Sequence, residues 1–137
     1  MKTLCCFITV IMFWSCNKPE EINCENLICT QEFRIVNVKF IDALGNAIEV
    51  KDFKSLNLRT NKDLTSSNYV DPINAKGYYT VVTDANTKDL SSKGDYIRVS
   101  AKHPVNGTIK EVDFVVSGGE CACHISKISG PEEIVFK

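Results

Sequence analysis

The chain has 137 residues, with 16 Lys and Arg against 17 Asp and Glu, a formal net charge of −1, and seven cysteines. Its length suits one domain with a single small core. With charge near balance and no basic run or face, nucleic acid is not an expected partner. There is no internal repeat and no low-complexity tract, which excludes a solenoid.

The N-terminus carries one positive charge, Lys2, and then an apolar run over residues 4–14 that only Thr9 interrupts. A bilayer-spanning helix needs about twenty apolar residues, so this shorter run reads as the hydrophobic region of a secretory signal. Phe13-Trp14-Ser15-Cys16 resembles the lipobox of bacterial lipoproteins, a small residue followed by cysteine. The resemblance implies cleavage after residue 15 and a lipid on Cys16, although Phe13 and Trp14 are bulkier than usual. Asn17-Lys18-Pro19-Glu20-Glu21 resembles the short acidic export signals of Bacteroidota surface lipoproteins. The implied organisation is a signal peptide over 1–15, a lipidated polar tether over 16–31 and a β-sandwich over 32–137. The implied location is the bacterial outer membrane, periplasmic or surface-facing, with the bilayer as a partner through acylated Cys16. Two or three acyl chains make such an anchor stable where one is marginal.

From residue 33 onward the pattern is that of strands. Residues 33–41 alternate, with Val36, Val38 and Phe40 on one side and Asn37 and Lys39 on the other, as in a half-buried strand. Ala43-Leu44-Gly45-Asn46 is a turn. Residues 53–60 put Leu56 and Leu58 on one face. Residues 61–76 are polar and include Asp71-Pro72, which reads as a long loop holding at most one short extended piece. Residues 78–83 are aromatic and β-branched, a further strand. A polar connection over 84–94 leads to residues 96–102, with Ile97, Val99 and Ala101 aligned. Pro104-Val105-Asn106-Gly107 is a hairpin signal, because Asn-Gly accepts the positive φ of the tight turn. Residues 108–116 align Val112, Phe114 and Val116. Ser117-Gly118-Gly119-Glu120 turns into an expected strand over 121–128, and Ser129-Gly130-Pro131 precedes a last short strand holding Ile134 and Phe136. About seven short strands separated by turns, with no long amphipathic helix, predict an all-β antiparallel sandwich.

Cys5 and Cys6 lie in the signal and Cys16 is assigned to lipid, which leaves Cys24, Cys29, Cys121 and Cys123. Four thiols in an exported chain predict two disulfides with three possible connectivities. A Cys121–Cys123 bridge would close too tight a ring. Two long-range bridges from Cys24 and Cys29 to Cys121 and Cys123 are therefore expected, with a local Cys24–Cys29 bridge as the other option. Cys121-Ala122-Cys123-His124 also groups two soft sulfurs and an imidazole, a possible Cu(I) or Zn(II) site. Against it, strand alternation would send His124 away from the thiols.

Val38-Lys39-Phe40-Ile41-Asp42-Ala43-Leu44-Gly45-Asn46-Ala47-Ile48, with Gly77-Tyr78-Tyr79-Thr80-Val81 later, resembles the opening of carboxypeptidase-regulatory or transthyretin-like modules. Those modules have a strand, an Asp-x-x-Gly turn, a second strand and a Gly-Tyr strand, which implies an Ig-like sandwich. The chain as a whole, through Glu120-Cys121-Ala122-Cys123-His124 and Ser129-Gly130-Pro131-Glu132-Glu133-Ile134, resembles small lipoproteins of Bacteroidota. No Gly-x-Ser-x-Gly motif or phosphate-binding glycine loop occurs, the two histidines have no evident acid–base partner, and no cofactor is expected. His103 reads as an ordinary exposed residue and Asn106-Gly107-Thr108 as turn chemistry. Asp84 and Asp89 offer only a weak calcium pair without EF-hand spacing. The expectation is a non-catalytic envelope module that meets a protein or glycan through the loops at 61–76 and 84–94, with Tyr69, Tyr78 and Tyr79 as candidate anchors.

Overall fold

The computed structural model describes Cys24, residues 27–65 and residues 75–137. The described residues form eight strands: β1 (Ile35–Ile41), β2 (Lys51–Asn57), β3 (Lys62–Asp63), β4 (Tyr78–Thr83), β5 (Asp95–Lys102), β6 (Ile109–Ser117), β7 (Ser126–Ser129) and β8 (Glu133–Val135). They form an all-β sandwich of two sheets, ordered β4-β1-β8 and β3-β2-β5-β6-β7. The five-stranded sheet is antiparallel throughout. In the smaller sheet β8 runs parallel to β1, pairing Phe40 with Ile134, so the sandwich is not purely antiparallel. Among the described residues the only helical piece is a 3-10 helix, Asp84–Asp89, inside the connection expected to be plain loop. Thr83 caps it, its hydroxyl accepting from Ala85 N at 3.3 Å.

Alternation accounts for most of the core. Val36, Val38 and Phe40 of β1, Ile97, Val99 and Ala101 of β5, and Phe114 and Val116 of β6 face the space between the sheets. Burying a side chain of this size contributes about 1.5–3 kcal/mol. At one end Phe40 meets Tyr79 edge-on at 5.4 Å and Phe136 at 6.0 Å, with Phe53 against Tyr79 at 4.9 Å. The first turn forms as the Asp-x-x-Gly pattern anticipates. Asp42 Oδ1 accepts from Leu44 N and Asn46 N, and Gly45 takes φ +85°.

Two strand expectations are corrected. In β2 the inward residues are Ser55 and Asn57, both fully buried, while Leu56 and Leu58 face outward. The cause is hydrogen bonding. Ser55 Oγ donates to Val81 O at 2.6 Å, and Asn57 joins a buried carboxylate described below. A bulge at Asp52 (φ +52°) shifts the register of β2 against β5. The second correction concerns 121–128. Residues 119–122 form a tight turn, Ala122 N donating to Gly119 O at 3.0 Å, the chain bends at 123–124, and strand begins only at Ser126.

The four cysteines form two long-range disulfides, Cys24–Cys121 and Cys29–Cys123, with Cα separations of 5.3 and 5.2 Å. They fasten the segment preceding β1, hereafter the strap, to the turn between β6 and β7.

Candidate functional site: the strap end and its cleft

The strands sort the chemistry to two ends. Tyr78, the aromatic cluster and the Asn106-Gly107 turn lie at one end. The 84–94 connection, the 118–124 turn and the strap lie at the other.

At the strap end, Asp95 is buried at the start of β5 and gathers four donors. Arg59 Nε donates to Oδ1 at 2.6 Å, and Oδ2 accepts from Arg59 Nη2 at 2.8 Å, Asn57 Nδ2 at 2.8 Å and Ser91 N at 3.1 Å. The Arg59 guanidinium, aided by Asn57 and Ser91 against the opposing effect of burial, holds the Asp95 carboxyl below the usual aspartate range. Asn57 Oδ1 accepts in turn from Arg59 N at 2.9 Å and Thr60 N at 3.2 Å. The buried network thus fixes where the Arg59 side chain leaves the sheet. Without Arg59 the buried Asp95 carboxylate would lose its only cationic partner among the described residues, although the guanidinium itself remains half exposed.

Arg59 forms one wall of an open cleft of about 640 Å³, completed by Lys88, Leu90, Ser91, Ser92 and residues 118–122. Gly119 N donates to Thr87 O at 2.8 Å and Gly118 N to Ser91 O at 3.1 Å, which ties the far wall to the 3-10 helix. A Cβ at Gly118 would come within 2.5 Å of Thr87 O, so only glycine permits this approach. Lys88 Nζ meets Glu120 Oε1 at 3.2 Å across the mouth, an exposed pair. Clefts of about 300–1,000 Å³ are the size range of small-ligand sites.

Beside the cleft runs a relay absent from the sequence expectations. Thr30 Oγ1 and His124 Nε2 lie 2.8 Å apart, and His124 Nδ1 lies 2.6 Å from Asp84 Oδ2. Asp84 also accepts from Arg34 N and Ile125 N, each at 2.8 Å. Burial would push the Asp84 carboxyl up. The Arg34 and Ile125 N–H groups and His124 outweigh it and hold the carboxyl below its ordinary value. His124 therefore has a carboxylate partner, and residue 124 faces it because the segment is a turn rather than a strand. The order hydroxyl, imidazole, carboxylate is that of a nucleophilic triad, but among the described residues Thr30 and His124 line neither this cleft nor the smaller one beside Ile125. The relay ties the strap to the sandwich.

No family model, curated protein or solved structure matches the chain.

Cys16 and Tyr69 lie outside the described residues, as does most of the 61–76 loop. Tyr79 is a packing residue whose hydroxyl bonds Val50, accepting from its N at 2.8 Å. Tyr78 is partly exposed at the opposite end from the cleft, beneath the Lys39 ammonium. The structure therefore does not bring Tyr78 and Tyr79 together with the 84–94 connection. The carboxylates of Asp84 and Asp89 diverge, since Asp89 faces Lys62 at 2.7 Å. Among the described residues no group of three or more His, Cys, Asp or Glu is placed to hold a metal. In a Cu or Zn site at Cys121, Cys123 and His124 the sulfurs would have to leave their disulfides and His124 its relay. His103 is half-buried, its ring packed against Phe136 at 5.2 Å and its Nδ1 accepting from Val105 N at 3.2 Å.

Proposed function

We propose that this protein is a lipid-tethered module of the bacterial outer membrane that binds its partner non-catalytically in the strap-end cleft. The cleft carries the reading. A buried network, a 3-10 helix and a disulfide pre-form its walls. One of those walls comes from the 84–94 connection. A site held by rigid elements loses little entropy when it is occupied. The tether rests on the resemblance of Phe13-Trp14-Ser15-Cys16 to a lipobox, and the bridge from Cys24 brings the chain that follows Cys16 to the cleft's own Cys121.

Two measurements on the full chain in intact cells test the two halves. Radiolabelled palmitate should enter the wild-type chain and not Cys16→Ala. A photoreactive benzophenone side chain at Ser92 should capture an envelope component that the same group at Ile109, at the far end of the sheet, does not. Equal capture from both positions would remove the cleft from the function.

A further inference from the structure

The charges around the cleft are already matched, and this restricts what the cleft can take. Arg59 is held by Asp95 through two hydrogen bonds and donates a third, from Nη2 to Asp89 O at 3.1 Å. Lys88 is paired with Glu120 at the mouth. Lys62, the next cation along this edge, is paired with Asp89 at 2.7 Å. An anionic ligand meets Arg59 already neutralised by Asp95 and Lys88 already neutralised by Glu120, so little net attraction is left for it. A cationic ligand meets the mirror-image difficulty at Asp95 and Glu120. A neutral ligand with many hydroxyls avoids both. It can donate to the free lone pairs of Glu120 and accept from Lys88, and Arg59 Nη1 forms no hydrogen bond among the described residues. Charged hydrogen bonds of this kind are worth about twice neutral ones.

The rest of the lining agrees. Ser91 and Ser92 add hydroxyls, Gly118 and Gly119 leave the backbone uncovered, and Leu90, Ala122, the disulfide and side-chain methylenes supply an apolar share somewhat larger than the polar one, which suits the carbon-bound faces of a sugar ring. There is no deep apolar hole for the large side chain of a peptide, the usual anchor of a protein partner. The cleft is open at its mouth, which suits part of a longer chain of repeating units.

We infer that the cleft binds a neutral oligosaccharide, with Arg59, Lys88, Glu120 and Ser92 as its hydrogen-bonding groups. This rests on the binding-module reading above and names its ligand class. The test is calorimetric titration of the purified full chain in detergent with neutral hexasaccharides (chitohexaose, mannohexaose, xylohexaose, maltohexaose) and with hexagalacturonate as the anionic counterpart. At least one neutral hexasaccharide should bind, and Ser92→Trp, which fills the cleft from an exposed position, should weaken it at least about tenfold. Glu120→Gln should weaken it less. Both variants should keep the wild-type melting temperature, so that a fall in binding is not a fall in folding. Binding that survives Ser92→Trp, tighter binding of hexagalacturonate, or no response to any neutral hexasaccharide at millimolar concentration would each overturn the inference. If Ser92 then still crosslinks an envelope protein in cells, the ligand class fails and the binding module stands. If neither result appears, both fail.

Discussion

Asp84, Asp95 and Asp113 are held below the ordinary aspartate range, each by partners that outweigh burial: backbone N–H groups and His124, Arg59, and Arg98 respectively. Their sign in the stability balance follows. A carboxyl that gives up its proton more readily when folded adds stability that is complete above its unfolded value of about 3.9. As pH falls below about 4 the unfolded chain takes up protons first, and the stability is lost as pH passes down through the folded values. Urea midpoints measured from pH 6 to pH 2 should therefore drop mainly below about pH 4. Asp95→Asn should flatten part of that drop and lower the midpoint at pH 6, because its amide nitrogen would face the donors of Arg59 and Asn57. An unchanged pH profile in this variant would mean that Asp95 is not ionised in the fold. Such carboxylates are the least legible residues in the sequence. Asp84 and Asp95 look like any loop acid, and only the fold brings Arg34, Ile125 and His124 to the first and Arg59 to the second.

At the scale of single elements, β1, β5 and β6 were legible because their alternation belongs to the hydrophobic face alone, and β4 because its residues are aromatic and β-branched. β2 was not. Its leucines alternate as well as any core strand, but Asn57 has an inward carboxylate to meet, and a hydrogen-bonded buried amide outcompetes leucine for that position. The parallel pairing of β8 leaves no trace in composition, and the cysteine turn imitates a strand because Cys, Ala and Ile are strand-compatible residues. The clearest test at this scale lies between β7 and β8. Gly130 has φ +133°, and a Cβ there would run into the buried Phe114 ring. Gly45 has φ +85° with open space around it. Gly130→Ala should cost about 2–4 kcal/mol from strain and overpacking together, and Gly45→Ala only about 1–2 from backbone strain. Equal losses in chemical denaturation would show that the Phe114 contact does not matter.

For the molecule as a whole, the two disulfides close nearly the same loop, spanning 97 and 94 residues. On the chain-entropy model one such bridge stabilises by roughly 4–5 kcal/mol, while the second, which then closes a ring of only about eight residues, adds roughly 2–3. The double variants Cys24→Ser with Cys121→Ser, and Cys29→Ser with Cys123→Ser, should each lose about 2–3 kcal/mol. Removal of all four cysteines should lose more than the sum of those two, because only then does the long loop open. Additive losses would show that each bridge has a separate local role. The linkage of the two segments was readable from cysteine arithmetic alone. The pairing was not, because the turn and bend at 119–124 set it.

Under the proposed lipid tether at Cys16, the Cys24–Cys121 bridge also decides how far the domain can stand from the membrane. With a lipid on Cys16, the covalent chain reaches at most about 28 Å before it is welded to the strap end at Cys24. With both bridges open and the relay released, the first residue paired into a sheet is Ile35, and the reach grows to about 65 Å. An oxidised molecule is therefore moored close, its cleft end toward the lipid headgroups, whereas a reduced one swings on a line more than twice as long. The redox state of the four sulfurs at the cleft's edge thus sets a height as well as a stability.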